Sequence, residues 1–191
     1  MTRLTRTVLL VACALLVAAA PAAAKSKSHG SLKLSRGATT LTLDKGAVDA
    51  LTSLGIAAAP LKPAKAADGG LAFPITNGRV DAKTLAGTIR HSGGLSLTRG
   101  DTRVELRNFV IDTKKGVLTA RAGNARLAIL DLDLSKVDVA SKGRKLTVSG
   151  VGATLTKGAA DALNGAFATD AFAEGLKIGT AVVRTRVAGR R

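Results

Sequence analysis

Beyond residue 30, apolar positions recur mostly at every second residue, the period of a strand with one buried face. Leu32 and Leu34, then Leu41 and Leu43, alternate with Ser, Lys and Thr over Ser31–Leu43, with a break at Arg36-Gly37. From Asp44 to Leu54 the period changes. Ala47, Val48, Leu51 and Leu54 fall at helical spacing, with Asp44 placed to cap the start and Gly55 to stop it. Residues 56–70 carry two prolines and end in glycines, so they are expected to form a connection. From Leu71 onward, short β-prone runs are separated by Gly, Asn and Asp turns: 71–75, 86–91, 95–98, 102–112, 117–122, 126–134, 136–140, 144–156 and 176–187. The runs 86–91 and 95–98 are expected to pair as a hairpin across Gly93-Gly94. Strands with turns roughly every 8–12 residues predict a mainly β fold, a curved antiparallel sheet or β-sandwich, carrying two short helices.

Two runs change the face on which their apolar residues lie. Leu127 and Ile129 share one face, but Leu130, Leu132 and Leu134 share the other. Leu146 and Val148 likewise give way to Val151, Ala153 and Leu155 across Gly150. Such a switch needs a bulge or a strand buried on both faces, and Gly150 is the better bulge candidate. A short echo also runs through the chain. Lys45-Gly46-Ala47-Val48-Asp49-Ala50-Leu51 returns as Lys157-Gly158-Ala159-Ala160-Asp161-Ala162-Leu163, each copy after a threonine-rich strand. The two copies predict equivalent helices covering the ends or one face of the sheet.

The N-terminus changes the picture. Arg3 and Arg6 precede an apolar run over 8–20, and Ala22-Ala23-Ala24 precedes Lys25. This is the order of a signal peptide ending at residue 24. The run is short for a transmembrane helix. The chain is therefore expected to be secreted or associated with the cell envelope, with no transmembrane segment after cleavage. Cys13 lies in mid-run, and a lipobox reading of Leu10-Val11-Ala12-Cys13 would strand Ala14–Ala20 on the mature side. The organisation expected is 1–24 signal peptide, 25–36 basic flexible N-terminal segment, 37–187 one β-rich domain and 188–191 basic tail.

Cleavage would leave 167 of the 191 residues, with 27 of the 29 basic and all 13 acidic side chains, a net charge of +14. Export and the lack of Trp and Tyr for base stacking argue against nucleic acid. Acidic partners remain: an anionic cell-wall polymer, an anionic lipid surface or a hydrophobic anionic ligand. Without the leader, no Cys or Met remains, so thiolate metal sites are excluded. His91, at a strand end beside Gly93-Gly94, is the most distinctive polar residue. Its imidazole can ligate iron or hydrogen-bond a bound group, or simply hydrogen-bond backbone in a turn. His29 falls in the N-terminal segment. Asp131 and Asp133 share a strand face and read as solvated beside Arg126 and Lys136. Ser92 or Ser96 with His91 lacks a nucleophile elbow, and no enzyme is expected.

Ala72-Phe73-Pro74-Ile75, Gly78-Arg79-Val80-Asp81, Leu85-Ala86-Gly87-Thr88-Ile89 and His91-Ser92-Gly93-Gly94-Leu95-Ser96-Leu97 follow one another, then Val104–Phe109 and Gly116–Ala120. In this order they resemble the HtaA domain, a haem-binding module of secreted and wall-associated actinobacterial proteins. The resemblance spans 71–122. It implies a β-rich extracellular domain and haem as the cofactor. It would make His91 the candidate iron ligand or hydrogen-bond donor to the bound group, with Arg90, Arg99 and Arg103 meeting the propionates. The family's ligand tyrosine has no counterpart, because the chain contains no tyrosine. The residues leave three readings open: a haem or hydrophobic-anion binder, an envelope protein held to anionic polymers by charge, and a lipid carrier.

Overall fold

The computed structural model describes residues 30–67 and 69–188. The expected signal peptide with Cys13, the residue His29 and the tail beyond Ala188 lie outside the described residues. The strands are β1 (Ser31–Leu43), β2 (Ala57–Leu61), β3 (Lys65–Ala67), β4 (Gly70–Asp81), β5 (Gly87–His91) and β6 (Gly94–Arg99). They continue as β7 (Thr102–Asp112), β8 (Val117–Ala122), β9 (Ala125–Asp133), β10 (Asp138–Lys142), β11 (Lys145–Leu155) and β12 (Lys177–Val187). Helix α1 (Lys45–Ser53) follows β1, and α2 (Lys157–Phe167) follows β11.

Eight strands form a closed antiparallel barrel in the order β5, β4, β1, β12, β11, β9, β8, β7, and β7 pairs back to β5. Strand β6 pairs with the first half of β7 and carries β2, while β3 lies on β4 and β10 on β11. Antiparallel pairing gives the barrel two different ends. Both helices leave from one of them, because β1 and β11 flank β12 and run the same way. The turns 82–86 and 113–116 and the connection 134–137 gather at the other, the turn end.

A barrel wall must keep one face inside over its whole length, yet side chains alternate every residue. Inserted residues correct the phase. In β1 the register against β12 shifts between Ser35 and Gly37, with Arg36 at φ 59°, so the buried positions pass from Leu34 to Thr39. In β7 it shifts between Arg107 and Val110, with Asn108 at φ 53°, so Leu106 and Phe109 are both buried. In β9 the insertion is Ile129 itself, opposite the step from Leu118 to Thr119, and Ile129 and Leu130 both face the core. In β11 the shift surrounds Gly150, at φ 80°, as its apolar switch predicts.

The helices form where the echo puts them. The Asp44 carboxylate accepts from the Gly46 amide, and the Thr156 hydroxyl from the Ala159 amide, which caps each first turn. Each is laced by a lysine–aspartate pair one turn apart, Lys45–Asp49 at 2.6 Å and Lys157–Asp161 at 2.7 Å. Helix α2 buries Ala159, Ala160, Leu163 and Phe167 against the barrel end. One apolar cluster fills the barrel toward the helices, with Phe73 and Phe109 edge to face at 4.9 Å. A second, built on Leu34, Ile75, Val80, Ile89, Ile111, Leu146 and Val183, fills it toward the turns.

Three expectations are corrected. Residues 31–36 are not part of a free arm but the first half of β1, and Leu34 is among the most buried side chains. The segment 56–70 is not only a connection. It supplies β2 and β3, whose positions outside the closed wall tolerate Pro60. And 86–91 does not pair with 95–98. Strands β5 and β6 lie end to end along the same edge of β7, which pairs with Gly94–Arg99 through its first half and Thr88–Arg90 through its second. Gly93 makes the step between them, and the chain at 61–64 crosses directly over it.

That crossing gives a test. A Cβ on Gly93, at φ 82°, would lie 2.5 Å from the Ala64 amide nitrogen and 2.7 Å from the Leu61 carbonyl oxygen. Gly93→Ala is expected to cost about 3 kcal/mol or more in urea unfolding. Gly100→Ala, also at positive φ but with nothing within 4 Å, is expected to cost about 1–2 kcal/mol. Equal losses would mean that the close approach does not exist in solution.

Candidate functional site

Two inward-facing polar residues meet in mid-barrel. Thr39 in β1 pairs across the sheet with Phe73 of one apolar cluster and Val183 of the other. Its hydroxyl lies 2.7 Å from Nε2 of His91, the last residue of β5. The bulge at Asn108 leaves Phe109 out of the β7–β8 register, and its carbonyl oxygen lies 3.2 Å from His91 Nδ1. A carbonyl only accepts, so Nδ1 carries the proton and donates. Nε2 is then the acceptor of the Thr39 hydroxyl proton. One imidazole therefore ties β5 to β1 and β7 with both nitrogens engaged. The ring is 5% exposed.

Around this bridge the barrel encloses an apolar cavity of about 340 Å³. Leu163, Phe172 and Leu176 line it toward the helices, and Lys83, Thr84, Leu85, Leu134, Val137 and Val139 toward the turns. Among the described residues, Lys83 is the one charged side chain in the lining. The other inner hydroxyls are satisfied by the protein itself. Thr113 donates to the Leu85 carbonyl at 2.7 Å, and Thr185 to the Arg36 carbonyl at 3.0 Å. No buried side-chain nitrogen or oxygen among the described residues lacks a hydrogen bond.

The turn carrying Lys83 is held from several sides. Asp81 accepts from the Lys83 and Thr84 amides at 2.8 Å each, and the Thr113 hydroxyl also accepts from the Gly87 amide at 2.8 Å. Leu85 sits at φ 56°, a left-handed conformation that costs a branched side chain roughly 1–2 kcal/mol. It keeps that conformation while packing on the turn-end cluster.

The residues expected to act together are separated. Arg90 follows strand alternation away from His91 and is exposed. Arg99 lies with its guanidinium 5.6 Å from the ring centroid of Phe167 in α2. Arg103 is exposed and shares Glu105 with Arg107. Asp131 and Asp133 are exposed, and Asp133 accepts from Ser135. The Ser96 hydroxyl donates to the Ala59 carbonyl and not toward His91. The close approach at Gly93 is taken by the chain's own backbone. Sequence reasoning missed Thr39, Lys83 and Leu85. Only the polar Thr39 within an otherwise apolar inner stripe carried a signal.

No family model and no curated protein matches this chain. Its fold is that of the C-terminal domain of HtaA from Corynebacterium glutamicum. The two superpose with a TM-score of 0.64 at 16% identity, over 82% of this chain and 99% of that one. A domain-swapped dimer of a histidine-to-alanine variant of the same domain matches at 0.54 and 17% identity, over 76% and 92% of the two chains. The HtaA-like architecture read from residues 71–122 thus extends over most of the chain.

Burial lowers the His91 pKa to about 4, against the Phe109 hydrogen bond, which raises it. In the unfolded chain an imidazole takes up its proton near pH 6.5 (about the free value). The unfolded state binds more protons between these values, so stability is full above the upper one and falls as pH drops toward the lower. The loss is on the order of 3 kcal/mol. Urea unfolding is expected to show it in the wild type and not in His91→Gln. Parallel profiles for the two proteins would contradict the buried neutral imidazole.

Proposed function

We propose that this chain is a non-enzymatic binding domain of the cell exterior or envelope that holds a hydrophobic small molecule inside its barrel. The observation that carries this reading is the apolar cavity of about 340 Å³ whose inner polar groups are already bonded to the protein. A binding pocket usually spans about 300–1,000 Å³ and is mostly apolar. Catalysis needs polar groups aimed at a substrate, and here the inward ones are spent on holding strands together. The signal-like residues 1–24 support export, and the basic composition supports a partner or ligand that carries negative charge.

The residues present do not fit a haem whose iron is ligated by this cavity. Both nitrogens of His91 are engaged, Arg90 lies outside the wall, and Arg99 and Arg103 belong to other surfaces. A cavity of about 150 Å³ takes up one benzene ring, so 340 Å³ has room for about a dozen carbons, far fewer than a tetrapyrrole. The ligand supported is slimmer than haem.

Titration of the purified protein with Nile red, a neutral apolar dye, tests the reading. Saturable enhancement of its emission is expected, with hemin giving no Soret shift that depends on His91. Absence of saturable dye binding would overturn the proposal. A one-to-one Soret shift lost in His91→Gln would replace it with a haem protein whose histidine rearranges.

A further inference from the structure

We propose that the turn end of the barrel is the cavity's entrance, and that Lys83 there binds the acidic headgroup of a single-chain amphiphile whose tail lies inside. This deepens the hydrophobic-ligand reading and rests on it. The two ends of the barrel differ in the charge that their lining carries, because Lys83 at the turn end is the one charged lining side chain among the described residues. At the helix end the lining runs under α1 and α2 through buried Ala47, Leu163 and Phe172, with Ala58 of the outer strand β2 exposed at its side. At the turn end the lining reaches residues that stand in solvent: Lys83, Thr84 and Val139, the last 51% exposed on the short outer strand β10.

Both ends carry lysines and aspartates, bonded differently. The ion pairs between described residues join Lys45 to Asp49, Lys157 to Asp161 and Lys177 to Asp44 at the helix end, and Arg103 and Arg107 to Glu105 beside β6. At the turn end carboxylates also hold backbone, and they stay charged beside the lysines of their turns. Asp112 accepts from the Lys114 and Lys115 amides at 3.0 Å each, and Asp133 from the Ser135 amide and hydroxyl. Asp81 caps the Lys83 turn in the same manner. Lys83, Lys114, Lys115 and Lys136 stand in the same turns as these carboxylates, and Lys83 alone of the four also lines the cavity.

The interior sets the rest of the ligand. It offers aliphatic and phenyl walls, and among the described residues each buried side-chain polar atom already has a hydrogen bond, so the portion inside is apolar. Its volume suits one unbranched chain of about a dozen carbons. A single acidic group on such a chain is left at the mouth, within reach of an ammonium. Leu85, held left-handed next to Lys83, packs its side chain where the tail must pass.

Displacement of bound Nile red by dodecanoate, dodecyl phosphate and dodecanol tests this in the wild type, Lys83→Gln and Lys157→Gln. Circular dichroism confirms that each variant is folded. In the wild type at least one of the two acids is expected to bind about fivefold tighter than the alcohol, the scale of one solvent-accessible ion pair. Which acid is preferred distinguishes a carboxylate ligand from a phosphate one. Lys83→Gln is expected to bring acid and alcohol level by weakening the acid alone, while Lys157→Gln, at the helix end, keeps the preference. Equal binding of acid and alcohol in the wild type, or a preference that survives Lys83→Gln, would overturn the assignment while leaving the apolar cavity standing. If neither the dye nor the amphiphiles bind, the hydrophobic-ligand reading fails with it.

Discussion

The barrel depends on a bridge made by one buried imidazole. His91 donates through one ring nitrogen to a carbonyl in β7 and accepts through the other from a hydroxyl in β1. Strands β1 and β7 are not neighbours in the sheet; β4 and β5 stand between them. The bridge therefore fixes the curvature of that part of the wall and not merely one pairing. Burial strengthens both bonds and disfavours the charged ring, so the imidazole is held neutral. The bridge also commits His91, the one histidine among the described residues, to structure.

The same wall needs its inserted residues. Without the extra residues at Arg36, Asn108, Ile129 and Gly150, alternation would turn polar side chains inward halfway along four strands. With them, the inner face stays apolar from the turns to the helices, and a continuous cavity runs through both clusters. The bulge at Asn108 has a second consequence, because it frees the Phe109 carbonyl that His91 uses. Phase correction and the histidine bridge are parts of one arrangement.

Much of this was legible in local pattern. The strand runs, both helices, their cap at Asp44, the bulge at Gly150 and the equivalence of the echoed segments all follow from neighbours in sequence. What was not legible depends on distance. Nothing in residues 86–98 reveals that β5 and β6 share the edge of β7, since a glycine pair between two β-runs is also the mark of a hairpin. Prolines in 56–70 hid β2 and β3, because proline excludes a central strand but not an outer one. The partner of His91 lies 52 residues away. Lys83 looked like any turn lysine until the fold placed it in the lining of the cavity, and Arg90 beside His91 misled because adjacent strand residues face opposite ways.

The account stands on the state of that imidazole. Nitrogen NMR of His91 across pH, with and without hemin, reads it directly. The account predicts a neutral ring protonated at Nδ1 and bare at Nε2, titrating near pH 4 and unmoved by hemin. An ordinary titration near pH 6.5 (about the free value), or an Nε2 resonance shifted by hemin, would contradict it.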